Sequence, residues 1–234
     1  IIMKITLFTL ALLISFVSFG QTADEYFDSG NDKAKAKDYN GSIADYTKAI
    51  ELDPYANAYN NRGLSKNNLK DYNGAIADYT KAIEINPNFA KAYTDRGISK
   101  DNLKDYYGAI ADFTKAIEIN PNYASAYENR GISKKKLKDY NGAIADYTKA
   151  IEINPNDAEA YYNRGISKYD LKDYYGAIAD YTKAIEINPN YADAYNNRSV
   201  SKYYLGDKNG ACQDARKTQD LGADASELIK IVCK

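Results

Sequence analysis

The sequence predicts an all-α solenoid of about six helix–turn–helix units, closed by a C-terminal capping helix. Three observations predict it. Pro87, Pro121, Pro155 and Pro189 stand 34 residues apart, as do Gly63, Gly97, Gly131 and Gly165. A fixed period of this length marks a stacked array. The run Asp-Tyr-x-Gly-Ala-Ile-Ala-Asp-aromatic-Thr-Lys-Ala-Ile-Glu-Ile-Asn-Pro-Asn begins at Asp71, Asp105, Asp139 and Asp173, with a diverged copy from Asp38. Within it Ala75, Ile76, Tyr79, Ala82 and Ile83 recur at steps that place them on one face of a helix, not on a strand.

The chain opens with a leader pattern over residues 1–20. Lys4 gives a short positive region, Ile5 to Val17 is apolar apart from Thr6, Thr9 and Ser15, and Ser18-Phe19-Gly20 supplies small residues ahead of Gln21. This is the layout of a cleaved secretory signal peptide. The rival is an uncleaved anchor, although the uncharged stretch Ile5–Gly20 is short for a span of about 20 residues. Thr22-Ala23-Asp24-Glu25 matches a capping box, which starts the first helix just past the expected cut. The expected product is exported, periplasmic or secreted, with no stable membrane span after cleavage.

Each unit holds two helical patterns. Tyr59, Gly63 and Lys66 share a face of the first helix; Lys70-Asp71 makes the turn, with Asp71 as N-cap of the second. Asn86-Pro87-Asn88 ends that helix, because Pro cannot continue it and disfavours helix in the residue before it. One such pair cannot bury its own apolar face, so stability comes from its neighbours. The expected packing lets Gly63 and its counterparts bring the helices close. Tyr59, Tyr93, Tyr127, Tyr161 and Tyr195 fill the wedge, opposite Tyr79, Phe113, Tyr147 and Tyr181. Fifteen of the 24 tyrosines fall at such repeating places, so the aromatic content alone says nothing about ligands.

With aromatic, Gly, Ala, aromatic, Ala and Pro at these places, the unit resembles the tetratricopeptide repeat. The resemblance covers residues 23 to about 223, with units 23–55, 56–89, 90–123, 124–157, 158–191 and a degenerate sixth at 192–225, followed by the cap at 225–234. It implies a right-handed superhelix whose first helices line a concave groove for an extended peptide or a partner helix. One departure is systematic. Where the family has a large apolar residue before the Gly and an aromatic three after it, this chain has Arg62, Arg96, Arg130, Arg164 and Lys66, Lys100, Lys134, Lys168. A buried Arg needs a partner, and Asp78, Asp112, Asp146 and Asp180 are placed to supply one. The alternative is that the Arg tips snorkel to water. The family's clamp for acidic chaperone tails is matched at Asn31, Asn61 and Lys91, but Phe27 and Asp95 replace two of its cations, which excludes that role.

Composition narrows the chemistry. Lys plus Arg number 31 against 32 Asp plus Glu, and no partner of strong charge, neither nucleic acid nor an anionic membrane, is implied. The chain has no His, so it lacks the commonest general base and the commonest metal ligand. Ser65-Lys66 and its copies are adjacent on a helix and do not face each other. No phosphate loop or nucleophile elbow occurs. The expectation is a chain without enzyme activity, metal or cofactor.

Helical spacing places Asn60, Leu64, Asn67, Thr94, Ile98, Asp101, Glu128, Ile132, Lys135, Tyr162, Ile166, Tyr169, Asn196, Val200 and Tyr203 on the groove, flanked by Asn61, Asn129, Asn163, Asn197 and Tyr204. The Asn residues would pair with a ligand backbone, or are simply soluble surface. The C-terminal half, with Tyr162, Tyr169, Tyr203 and Tyr204 beside Ile166 and Val200, is the expected main contact. The expected function is a protein-interaction scaffold of the bacterial envelope or exterior; the alternative is a binder of glycan or peptidoglycan fragments on exposed tyrosines. Cys212 takes the place that Ile holds in every earlier unit, Ile43 through Ile178, and should face the last helix. A Cys212–Cys233 disulfide is expected there, with two buried thiols as the alternative if the leader is no signal.

Overall fold

The computed structural model describes residues 21–234; the expected leader, residues 1–20, lies outside them. Among the described residues are thirteen α-helices and no strand. They run α1 (Ala23–Lys35), α2 (Tyr39–Leu52), α3 (Ala56–Asn68), α4 (Tyr72–Ile85), α5 (Ala90–Asn102), α6 (Tyr106–Ile119) and α7 (Ala124–Lys136). The series continues with α8 (Tyr140–Ile153), α9 (Ala158–Asp170), α10 (Tyr174–Ile187), α11 (Ala192–Tyr204), α12 (Lys208–Asp220) and α13 (Ser226–Val232). Each odd helix packs on the even helix that follows it, and each even helix on the next odd one, so the chain is a one-dimensional stack.

The ends of these helices follow from the residues there. The Thr22 side chain accepts the Glu25 N–H while the Glu25 carboxylate accepts that of Thr22, so α1 opens on a complete capping box. Asp38, Asp71, Asp105, Asp139, Asp173 and Asp207 each accept the N–H of a Gly three residues on. The residue before five of these caps, Lys37, Lys70, Lys104, Lys138 or Lys172, has φ of 63–65°. That left-handed turn, awkward for a side chain with a Cβ, gives the sharp reversal into the second helix. In the sixth pair Gly206 takes the place, with φ 86°.

The wedge between paired helices is filled from the second helix, contrary to expectation. Tyr46, Tyr79, Phe113, Tyr147 and Tyr181 are essentially unexposed. A Cβ on Gly63 would stand 2.8 Å from the Tyr79 ring and one on Gly97 2.6 Å from Phe113, so these glycines make room for the ring. Tyr59 and its counterparts are only half-buried. The sixth pair makes a matched exchange: Ala215 replaces the ring, and Ser199, in the place of Gly, donates to the Ala211 carbonyl at 2.7 Å.

The arginines are paired rather than snorkelling. Arg62 Nε and Nη2 donate to the two Asp78 oxygens at 2.9 and 2.7 Å, and Lys66 reaches the same carboxylate at 2.7 Å. Arg62 Nη1 donates to Thr47 of the preceding pair at 3.0 Å, and its guanidinium lies 5.5 Å from the Tyr59 ring centre. The same arrangement recurs at Arg96, Arg130, Arg164 and Arg198. A bidentate pair fixes orientation as well as charge. The Thr bond makes each unit's network reach into the unit before it. At the N-terminal end Ser29 stands in for Arg, and Asp45 is held by Ser29 and Lys33.

At the other end α13 covers Ala211 and Ala215 with Val232, Leu228 and Ile229, and Cys212 is joined to Cys233 by a disulfide. This is the bridge and the docking expected from the sequence.

Candidate functional site

The odd-numbered helices carry every residue expected on the groove. Asn60 is fully buried, so it does not line the groove; its Nδ2 donates to Asp95 at 3.3 Å and its Oδ1 has no partner. Thr94, at the same place one unit on, is also buried, whereas Glu128, Tyr162 and Asn196, at that place in the later units, are half-buried.

The Asn residues are largely engaged within the chain. Asn61 donates to Asn31 at 3.0 Å, Asn129 to the Ser125 carbonyl at 2.7 Å, and Asn197 to the Tyr162 hydroxyl at 3.0 Å. Asn196 donates weakly to Asn197 at 3.4 Å, and Asn163 accepts from Lys135 at 3.4 Å. The amides of Asn61, Asn163 and Asn197 join adjacent first helices, while those of Asn129 and Asn196 bond within their own helix, which leaves less for a ligand backbone than expected. Ser65 and Lys66 are likewise committed: Ser65 donates to the Asn61 carbonyl and Lys66 sits on Asp78.

Leu64, Ile98, Ile132, Ile166 and Val200 form a half-exposed apolar line along the successive first helices. At its C-terminal end Ile166, Tyr169, Asp170, Tyr181, Asn197 and Val200 line a cleft of about 340 Å³. A second cleft of about 380 Å³, toward the N-terminus, is walled by Asn31, Lys35, Asn61, Ser65 and Asn68, with Tyr39, Tyr46 and Leu64. The first lies in the half of the groove where the tyrosines gather.

Those tyrosines form two groups. Tyr162 packs on Tyr191 at 4.8 Å and on Tyr181 at 5.9 Å between ring centres. Tyr169 packs on Tyr174 at 5.5 Å and Tyr204 at 6.1 Å, and Tyr174 and Tyr204 are stacked 5.0 Å apart. Burial, then the Tyr204 hydroxyl, pushes the Tyr169 phenol up to about 12, so it stays neutral at physiological pH. Tyr203 and Tyr204 remain 36% and 58% exposed at the rim. Tyr191 and its counterparts Tyr55, Phe89 and Tyr123 stand at four of the five inter-unit linkers. Tyr55 packs on Phe27 at 5.4 Å as Tyr191 does on Tyr162.

Among the described residues no group of three or more His, Cys, Asp or Glu could hold a metal, and no helix is long and apolar enough to cross a membrane. A tetratricopeptide repeat family model matches residues 56–89, 90–123 and 158–191, and two further repeat models match 113–145 and 134–172, a continuous cover of 56–191. The chain belongs to the tetratricopeptide repeat family. No curated protein matches it. Among solved structures it is similar to YrrB, described as a tetratricopeptide repeat protein with an unusual peptide-binding site. The identity is 26%, over 80% of this chain and 97% of that one, with a TM-score of 0.68. It is similar to the MamA protein at 25% identity, over 71% and 91% of the two chains, with a TM-score of 0.66. Pseudomonas aeruginosa pilF shares the fold at 18% identity, over 89% and 95%, with a TM-score of 0.76. Proteins of this family are generally non-catalytic scaffolds, and a protein-interaction role follows for this tetratricopeptide repeat chain.

Proposed function

We propose that the chain is an exported, non-catalytic scaffold that holds a peptide or partner segment in its concave groove, with the main contact in the C-terminal half. The observation that carries this is the cleft between α9 and α11. It joins apolar walls, Ile166 and Val200, to two aromatic rings, Tyr169 and Tyr181, and two polar groups, Asp170 and Asn197. A concave, mostly apolar site with a few placed polar groups is the usual form of a binding pocket. The peptide-binding site named for YrrB supports the reading by similarity. Protein is favoured over glycan because the tyrosine rings spend their faces on one another, through Tyr162–Tyr191 and Tyr174–Tyr204. Export is supported by the leader pattern and by the disulfide, which persists in oxidising compartments.

Capture from an envelope extract with the purified chain, followed by mass spectrometry, identifies the partner. Tyr169→Ala should then weaken its binding by about 2 kcal/mol, the scale of an interfacial aromatic anchor, with the helical circular dichroism unchanged. Unchanged affinity would move the contact away from this cleft.

A further inference from the structure

The linker aromatics expose one exception in the array. At the first unit junction Phe27 packs on Tyr55, and at the fifth Tyr162 packs on Tyr191. At the fourth junction the same two places hold Glu128 and Asp157, and Glu159 follows on α9. Two carboxyl groups thus replace an aromatic pair. Burial, the charges of Asp157 and Glu159, and a hydrogen bond with Asp157 push the Glu128 carboxyl up to about 7. This arrangement costs the fold stability and gives it no packing in return.

Two half-buried carboxylates on the neighbouring first helix have a cation: Asp95 has Lys91, and Asp101 has Lys136. Among the described residues Glu128, Asp157 and Glu159 are in no ion pair. Lys135, two turns along the same helix, donates to Asn163 instead. Beneath the cluster lies Tyr147, fully buried, whose hydroxyl has no hydrogen-bond partner. The cause is visible by comparison with the first unit. There the equivalent Tyr46 hydroxyl donates to Asn31 on the groove wall at 2.8 Å, whereas Ile132 holds that place beside Tyr147. The equivalent side chains pack together in the first and fifth units, Phe27 on Tyr46 at 5.7 Å and Tyr162 on Tyr181 at 5.9 Å between ring centres, which sets Tyr147 against the place of Glu128. The Tyr147 hydroxyl and the Glu128 and Glu159 carboxyl groups are acceptors that no cation among the described residues reaches. They do not converge enough for a metal.

We propose that Glu128, Glu159 and the Tyr147 hydroxyl form a seat for a cationic side chain of the groove-bound partner, a Lys ammonium or an Arg guanidinium. This rests on the groove reading above and adds to it: the partner is a basic segment, with an apolar residue for the neighbouring cleft. Asp157, which caps α9 through the Glu159 and Ala160 N–H groups, supplies charge to the seat but is held by the backbone.

The charged groups acting on Glu128 are Asp157 and Glu159 from the entry of α9. Its folded-state value is raised from 4.5, so its contribution to stability is present below 4.5 and is lost as pH rises through about 7. Glu128→Gln should therefore fold at least as well as the parent at neutral pH and above, which makes it a usable probe.

The test is selection of a random dodecapeptide library displayed on phage against the whole chain above the Glu128 titration. Selected peptides should be enriched in Lys and Arg. They should lose affinity about tenfold against the Glu128→Gln, Glu159→Gln double variant, as expected for an ion pair half removed from water, and lose it likewise below the titration. Peptides that are neutral or acidic, indifferent to the double variant yet lost with Tyr169→Ala, would overturn the cation seat and leave the groove reading standing. Selected peptides unaffected by either variant would overturn both.

Discussion

Asp146→Ala should destabilise the array by about 3–5 kcal/mol, the cost of removing one member of a buried ion pair. Asp146 lies in the middle of the stack and is almost fully buried, and it accepts two bonds from Arg130, at 2.9 and 2.6 Å, and a third contact from Lys134 at 2.7 Å. The substitution strands two cations at once, one of them 16% exposed. It also loosens the Arg130 bond to Thr114, which ties this unit to the one before. Because stability in such arrays is shared between neighbours, the loss should spread to both adjoining units. Urea denaturation followed by circular dichroism reads the change. Glu84→Ala, which breaks the exposed Lys81–Glu84 pair on α4, should move the same midpoint by about 0.5 kcal/mol or less. Equal small effects from both substitutions would show that the Arg–Asp–Lys network is not what holds the units together.

Removing the Cys212–Cys233 bridge should cost about 3 kcal/mol by the loop-entropy estimate for a separation of 21 residues. The effect should be local. The helix α13 has only seven residues, too few to persist alone, and without the bridge it rests on Val232, Leu228 and Ile229 against Ala211 and Ala215. The Cys212→Ser, Cys233→Ser double variant should exchange its α13 amides rapidly while α1–α10 keep their protection. Protein from the exported fraction should begin at Gln21 and show no free thiol on denaturation without reductant. Two free thiols per chain there would contradict both the bridge and the export it supports.

Much of this was legible in the residues. The period, the Asp caps, the capping box at Thr22, the Arg–Asp pairing and the docking of Cys212 on the last helix all follow from patterns that local chemistry enforces. What escaped depended on depth and on relations between units. Helical spacing put Asn60 on the groove face, but it is fully buried, its amide on Asp95 of the next unit. The wedge role passed from Tyr59 to Tyr79, because the missing Gly63 Cβ admits a ring from the opposite helix. Lysines carry no local signal for the left-handed turn that Lys70 and Lys104 adopt; only Gly206 in the sixth unit hinted at it. The Glu128–Asp157 exception had a signal in the column Tyr55, Phe89, Tyr123, Tyr191, which Asp157 breaks. Without the contact between Phe27 and Tyr55 that column had no known partner.

The central claim, that a partner segment lies in the groove over the C-terminal units, is tested most directly by hydrogen exchange of the whole chain with and without a library-selected peptide. Added protection should map to α7, α9 and α11, strongest around Ile166, Tyr169 and Val200, with α8 and α10 little changed. Protection confined to the even-numbered helices, or to the N-terminal units alone, would contradict it.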